Sequence, residues 1–325
     1  MEHRLEASNS AHFDSRFKHK LSVRMSVCER PPTAYLLYVD SSPPSPCPAR
    51  FSTAGARVER GPDLTEIIMV DEKQLLSAVG VDKLESRWYT YTLQMTLKLL
   101  ASSLMRTPFY MTLDADVLCT KGRLSEEDLL PQGKGNYVPE GRNAHPGWWS
   151  HAAHTLDVEE NPLGGGFGVT PAVLSTSGAE LTVDRLRKVH GGHDEFFRRI
   201  FDAWSVGGER WWTEYTLYRT ALDHFRVFDT LHAIGPTKLL GDDSVWFSQQ
   251  FDDWNVTAAF DEGPAAFVVV QSTAQVGILR ILRKLRQGLE GEGGGEEHST
   301  SSGTPSLLRR RIVRQMELLL SGESR

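Results

Sequence analysis

The stretch Pro108–Gly122, PFYMTLDADVLCTKG, decides how the rest of the chain is read. Five residues suited to a buried strand, Phe109–Leu113, run into two aspartates, Asp114 and Asp116, separated by one small residue, and apolar residues resume at Val117. Two carboxylates that close repel each other and lose hydration at the end of a buried strand, so the arrangement calls for positive charge beside them. Side chains at i and i+2 of an extended segment leave the same face, and the C-terminal ends of strands in an open α/β sheet border the crevice where ligands bind. Hard oxygen ligands of this kind suit Mg²⁺ or Mn²⁺. A solvated turn is the simpler account of a bare D-x-D, so the surrounding chain has to separate the two.

Upstream, residues 83–105 carry the clearest helical pattern. Asp82 and Glu85 have capping-box spacing. Tyr89, Leu93, Leu97, Leu100 and Leu104 form an apolar stripe, and Arg87, Tyr91, Gln94 and Lys98 form a polar stripe at the same spacing. The apolar stripe fixes this helix to the sheet. Gln94 and Lys98 are then expected along the edge of the donor pocket that Asp114 borders, and truncation of Lys98 is expected to cost little stability. Strands are expected at 33–39 (TAYLLYV), 66–70 (EIIMV), 167–170 and 265–272 (AAFVVVQS). Helices are expected at 11–28, around Trp148–His154, from Pro171, over 181–204 and over 211–225. Short apolar runs alternating with helices indicate an α/β domain over residues 1–287. The low-complexity segment 288–306 reads as a flexible linker, and 307–325 as a C-terminal amphipathic helix.

A chain of 325 residues with 40% hydrophobic residues can bury a substantial core. Its formal net charge of -6 gives no electrostatic reason to expect nucleic acid as a partner. Cys28, Cys47 and Cys119 are too few and too far apart for a zinc site or a disulfide framework, which favours a reducing compartment and a cytoplasmic default. No apolar run reaches membrane-spanning length.

Six blocks follow in order: RWYTYTLQMTLKLLASS, FYMTLDADVLCTK, HPGWWSHAAHTL, GGGFGVTPAVLST, WWTEYTLYRTAL and AAFVVVQS. Together, over roughly residues 10–275, they resemble a largely uncharacterised domain-of-unknown-function family related to glycosyltransferases of the GT-A fold. The resemblance implies a GT-A-like, Rossmann-like single domain with a mixed, mostly parallel sheet flanked by helices. It also implies a nucleotide-sugar donor and Mn²⁺ or Mg²⁺, and it leaves the acceptor open. By the GT-A pattern Asp116 would contact the metal directly and Asp114 would face the sugar or ribose. HAIGPTK resembles the H-x-x-G-x-x-K of glycogenin-like enzymes, which would make His232 a third metal ligand and bring Gly235 and Lys238 to the diphosphate; the Pro-Trp that normally follows is replaced by Leu239 and Leu240. Glu214, in WWTEY, is the candidate general base or donor-orienting carboxylate, against the reading of a surface helix residue. Trp148 and Trp149 are read as a stacking surface for an acceptor sugar or, more simply, as core.

Two other functions compete. YMTLDADVL with KLLGDD resembles a haloacid-dehalogenase-like phosphatase with Asp114 as nucleophile. Leu118 stands where that motif has Thr or Val, and Lys238 is too close to Asp242 for separate elements. The other is a non-catalytic relative that keeps the fold and binds a ligand. In the family resembled, a buried strand opens the domain, whereas the first credible strand here is 33–39. The chain is therefore expected to begin too late and to lack part of the nucleotide pocket, with the secretory pathway open to a longer form.

Overall fold

The structure is a computed structural model that describes residues 38–40, 57–60, 66–71, 91–105, 107–114, 116–121, 124–162, 164–191, 212–262 and 265–290. The helix expected at 11–28, the start of the strand at 33–39, the first turns of the helix over 83–105, the helical residues expected beyond 191, the linker beyond 290, the helix within 307–325 and the segment on which a late start was argued all lie outside these residues.

In chain order the elements are β1 (Tyr38–Asp40), β2 (Arg57–Arg60), β3 (Glu66–Asp71), α1 (Tyr91–Leu100), β4 (Phe109–Thr112), β5 (Val117–Cys119), α2 (Glu126–Leu129), β6 (Gly135–Asn136), α3 (Pro146–Leu156) and β7 (Ala172–Ser175). There follow α4 (Thr176–His190), α5 (Glu214–Phe225), α6 (Phe228–Leu231), β8 (His232–Ala233), β9 (Lys238–Leu240), α7 (Ser248–Asp253), β10 (Ala265–Val269) and α8 (Ile278–Glu290). The fold is α/β with mixed sheets. The strand orders are β1-β3-β2, β5-β10-β9, β4-β7 and β6-β8. Among the described strands parallel and antiparallel pairs are equally frequent: β1–β3, β9–β10 and β6–β8 run parallel, while β2–β3, β5–β10 and β4–β7 run antiparallel. The expected predominance of parallel pairing is therefore corrected.

Strand alternation sorts the core into layers. Tyr110, Ala172 and Leu174 face a helical cluster containing Leu93, Leu97 and Leu100 of α1, Trp149 of α3, Leu186 of α4 and Leu217 of α5. Phe109, Met111 and Val173 point the other way, onto Leu239, Phe267 and Val269. Successive strand side chains leave opposite faces, so β4 and β7 are buried on both. Val268 and Val270 turn outward again, onto Phe251, Trp254, Leu282, Leu285 and Leu289 of a third cluster. Each large apolar side chain so buried contributes roughly 1.5–3 kcal/mol relative to exposure. Leu289 is 2% exposed, so the packed body runs past the boundary expected at 287.

The expectation of a strand at 167–170 and a helix from Pro171 is reversed. The strand is Ala172–Ser175 and the helix starts at Thr176, where the Ser175 side chain accepts the Gly178 N–H as N-cap. Proline, without an N–H to donate, stands just ahead of the strand, where it costs no ladder bond.

His232 sits at the centre of a buried polar chain. Tyr218 Oη accepts the Ser175 backbone N–H at 2.8 Å and lies 2.7 Å from His232 Nε2, while His232 Nδ1 lies 3.0 Å from the Gly135 carbonyl. A carbonyl only accepts, so Nδ1 carries the proton, Nε2 accepts, and the Tyr218 hydroxyl donates to it. Only a neutral imidazole fits this chain, and burial first, with Arg219 adding repulsion against a bond from Gly135 that favours the charge, pushes the His232 pKa down from 6.5 to about 4.

The folded state therefore binds the His232 proton less tightly than the unfolded chain does. The stabilisation is complete above pH 6.5 and is lost as pH falls through the window down to about 4, amounting to about 3 kcal/mol. Urea denaturation at pH 7.5 and pH 4.5 should show a smaller acid loss in His232→Gln than in the wild type; an equal loss would remove His232 from the account.

Candidate functional site

Helix α1 delivers the first side chains. Leu93, Leu97 and Leu100 are buried against the sheet and the other helices, so the face bearing Gln94 and Lys98 is turned to the connector between β4 and β5. Tyr110 Oη donates to the Lys98 backbone carbonyl at 3.0 Å and fixes the last turn of the helix over β4. Lys98 Nζ then lies 2.5 Å from Asp114 Oδ1 and 2.6 Å from Glu214 Oε1, and Gln94 Nε2 reaches Asp114 Oδ1 at 3.3 Å. The Tyr215 hydroxyl stands 3.4 Å from Lys98 Nζ and 3.1 Å from Thr112 Oγ1. Burial works against the charge on Lys98, but Tyr215, Glu214 and Asp114 outweigh it and hold its pKa well above the usual range. The low cost of truncation expected at the Lys98 position is thereby corrected, because it carries a buried ion pair.

Asp114 and Asp116 occupy the connector that carries the chain from the β4–β7 pair to the β5-β10-β9 sheet. They leave it toward different partners. Asp114 donates its N–H to Thr170 Oγ1 and turns its carboxylate to α1. Asp116 accepts the Val270 N–H on its carbonyl and the Ser272 N–H on Oδ2, both from the chain leaving β10. Its other oxygen, Oδ1, is buried and has no hydrogen-bond partner. Lys98 pairs with the carboxylates of Asp114 and Glu214, and Asp116 has no ion pair among the described residues. An unpaired buried carboxylate oxygen in a patch with excess negative charge is a suitable ligand for a hard cation. Among the described residues no group of three or more His, Cys, Asp or Glu is arranged to hold a metal ion, so the protein's share of such a site would be the two aspartates.

Glu214 opens α5, where Thr213 caps the helix and a carboxylate is favoured by the helix dipole. It is 1% exposed and stands behind Lys98 rather than on the crevice surface. Burial raises its pKa, and Lys98 offsets this only in part. Its reach is to Lys98; a general base must reach its substrate.

The remaining sequence candidates lie elsewhere. His232 has both ring nitrogens engaged by Tyr218 and Gly135 in the core, so the geometry supports a core role and not that of third metal ligand. Gly235 donates its N–H to Asn136 Oδ1, and a Cβ there would meet Asn136 Nδ2 at 2.7 Å, so the glycine permits a close loop contact. Lys238 pairs with Asp242 at 2.5 Å on the surface. It registers with Ala265, whereas Asp116 bonds Val270. Five strand residues separate those levels by about 16 Å, so Lys238 and Asp242 are not gathered at the D-x-D as either a diphosphate site or the phosphatase arrangement requires. Trp149 is 3% exposed with the Arg142 guanidinium 4.3 Å over its ring, and Trp148 stacks on His145 at 3.8 Å. Trp149 is core, and Trp148 keeps a partly exposed face.

No spacing or motif in the sequence points to Tyr215, Thr112, Thr170 or Ser272. Thr112 carried the one available signal, a polar residue inside a buried strand; the others act through contacts between chain-distant elements.

The chain belongs to the family of unknown function DUF6492, whose model matches residues 54–290. No curated protein and no solved structure matches it. No helix among the described residues is long and apolar enough to cross a membrane.

Removing Lys98 leaves Glu214 buried without its counter-charge and Asp114, at the crevice, without its partner. Lys98→Met should lower stability by about 3 kcal/mol in urea denaturation, and Lys98→Met/Glu214→Gln should recover most of it. Independent, additive losses would mean that the three groups do not share one interaction.

Proposed function

We propose that this member of the DUF6492 family is a GT-A-like glycosyltransferase that takes a sugar from a nucleotide-diphosphate donor, with a divalent cation held by Asp114 and Asp116. The observation that carries the reading is the unpartnered, buried Oδ1 of Asp116, two residues along the connector from a carboxylate held by Lys98 and Gln94. Mg²⁺ in nucleotide sites commonly takes one or two protein carboxylates and fills its remaining positions with water and phosphate oxygens, which matches a two-aspartate site. When bound, the cation offsets the charge of the diphosphate as it leaves. The chain's own residues set the frame. Gln94 and Lys98 orient Asp114, Glu214 and Tyr215 hold Lys98, and the Val270 and Ser272 N–H groups fix Asp116. Glu214 is a positioning residue here and not the base.

The ion pair between Lys98 and Asp114 also satisfies one carboxylate without a metal, which favours a second reading, a GT-A-like protein that binds such a donor without transferring its sugar.

Thermal unfolding with a panel of nucleotide diphosphates and nucleotide sugars, with and without Mn²⁺, tests the proposal. At a hundredfold excess over Kd a true ligand should raise Tm on the order of 5 °C, only with Mn²⁺, and Asp116→Asn should abolish the rise. No Mn²⁺-dependent rise with any member of the panel would sink the proposal. A rise without hydrolysis or transfer would select the second reading.

A further inference from the structure

Each aspartate of the connector is held by one oxygen and offers the other. Asp116 Oδ2 accepts the Ser272 N–H at 2.8 Å, and its Oδ1 is unclaimed. Asp114 Oδ1 accepts the Gln94 amide at 3.3 Å and meets the Lys98 ammonium at 2.5 Å, while Oδ2 has no hydrogen-bond partner among the described residues. The two holds differ in kind. A backbone N–H carries a partial charge and keeps its place whatever binds alongside. An ammonium carries a full charge on a flexible stem, and it repels any cation that comes to share its carboxylate.

Lys98 can leave Asp114 without being stranded. Its Nζ also lies 2.6 Å from Glu214 Oε1, 3.4 Å from the Tyr215 hydroxyl and 5.2 Å from the centre of the Tyr215 ring. The two carboxylates that it joins are unequal. The Glu214 side chain is 2% exposed and that of Asp114 is 28% exposed. Attraction is stronger on the buried side, where water and salt screen it least, so Glu214 keeps the ammonium when a competing charge reaches Asp114. Gln94 does not depend on charge and stays on Asp114 Oδ1, which preserves the orientation of that carboxylate.

We infer that Lys98 is an internal competitor of the divalent cation: it supplies positive charge to Asp114 while the crevice is empty and withdraws onto Glu214 and Tyr215 when a cation is taken up. The inference rests on the two-aspartate reading above and gives Glu214 a part in it, as standby partner of the displaced ammonium. A competitor and a purely orienting lysine have opposite consequences, since removing the first tightens cation binding and removing the second loosens it. Titration with Mn²⁺ alone, followed by the electron paramagnetic resonance signal of the free ion, separates them. Lys98→Met/Glu214→Gln is the decisive variant, because it removes one charge of each sign and leaves the net charge of the protein unchanged. It should bind Mn²⁺ about tenfold more tightly than the wild type. Glu214→Gln alone, which leaves the ammonium no carboxylate but Asp114, should bind Mn²⁺ more weakly than the wild type. With Asp114→Asn added, the double change should no longer alter Mn²⁺ affinity. Weaker or equal binding in the double variant, or a gain that survives Asp114→Asn, overturns the inference and leaves the two-aspartate reading intact. No Mn²⁺ binding in either the wild type or the double variant also overturns it, and the reading of the site is then decided by the Mn²⁺-dependent shift with nucleotides.

Discussion

One ammonium joins the parts of this molecule that matter most for its chemistry. Lys98 Nζ holds the end of α1, the connector after β4 and the first turn of α5 through Asp114 and Glu214. These segments are distant in sequence, and apolar packing alone would leave their registers loosely specified. A charge-assisted bond has a narrow geometric optimum, so it sets where α1 stops and where α5 starts. Two carboxylates on one ammonium also leave a negative excess, which Asp116 increases. That excess is tolerable at a crevice, where water and cations have access, and it would be costly deeper inside.

Helix α5 is the polar spine of an otherwise apolar layer. Every residue from Glu214 to Leu222 is buried, and four of those nine are Thr, Glu or Arg, with two tyrosines among the rest. A helix buried all round must satisfy each such group from its neighbours. Glu214 and Tyr215 turn to Lys98, Tyr218 to Ser175 and His232, and Arg219 to Asp223 and the face of Phe228. One element thus connects the crevice with the buried imidazole.

Much of this geometry is legible in the sequence where a pattern is long. The apolar and polar stripes of α1 indicate which face carries Gln94 and Lys98, and the apolar runs of β3, β4 and β10 mark strands that are present. Short elements buried on both sides carry no such mark. Ala172–Ser175 shows no alternation, so nothing local separates it from a helix start, and Pro171 points the wrong way. His232 and Lys238 show the limit of spacing motifs, because H-x-x-G-x-x-K fixes separations along the chain and not the direction of the side chains. Helix α8 was hidden by its neighbourhood: ILRILRKLRQGLE is strongly amphipathic but runs directly into a glycine- and glutamate-rich segment, which drew the boundary too early.

The order β5-β10-β9 places the last of the described strands between two that precede it in the chain. Until residues 265–270 leave the ribosome, β5 and β9 face an empty slot, with backbone donors and acceptors open to other chains. Asp116 waits on the same event, since the N–H groups that hold it come from Val270 and Ser272. Chain synthesis thus proceeds through most of the domain before its acidic connector is set, and any truncation ahead of β10 removes the connector's support together with the middle of a sheet.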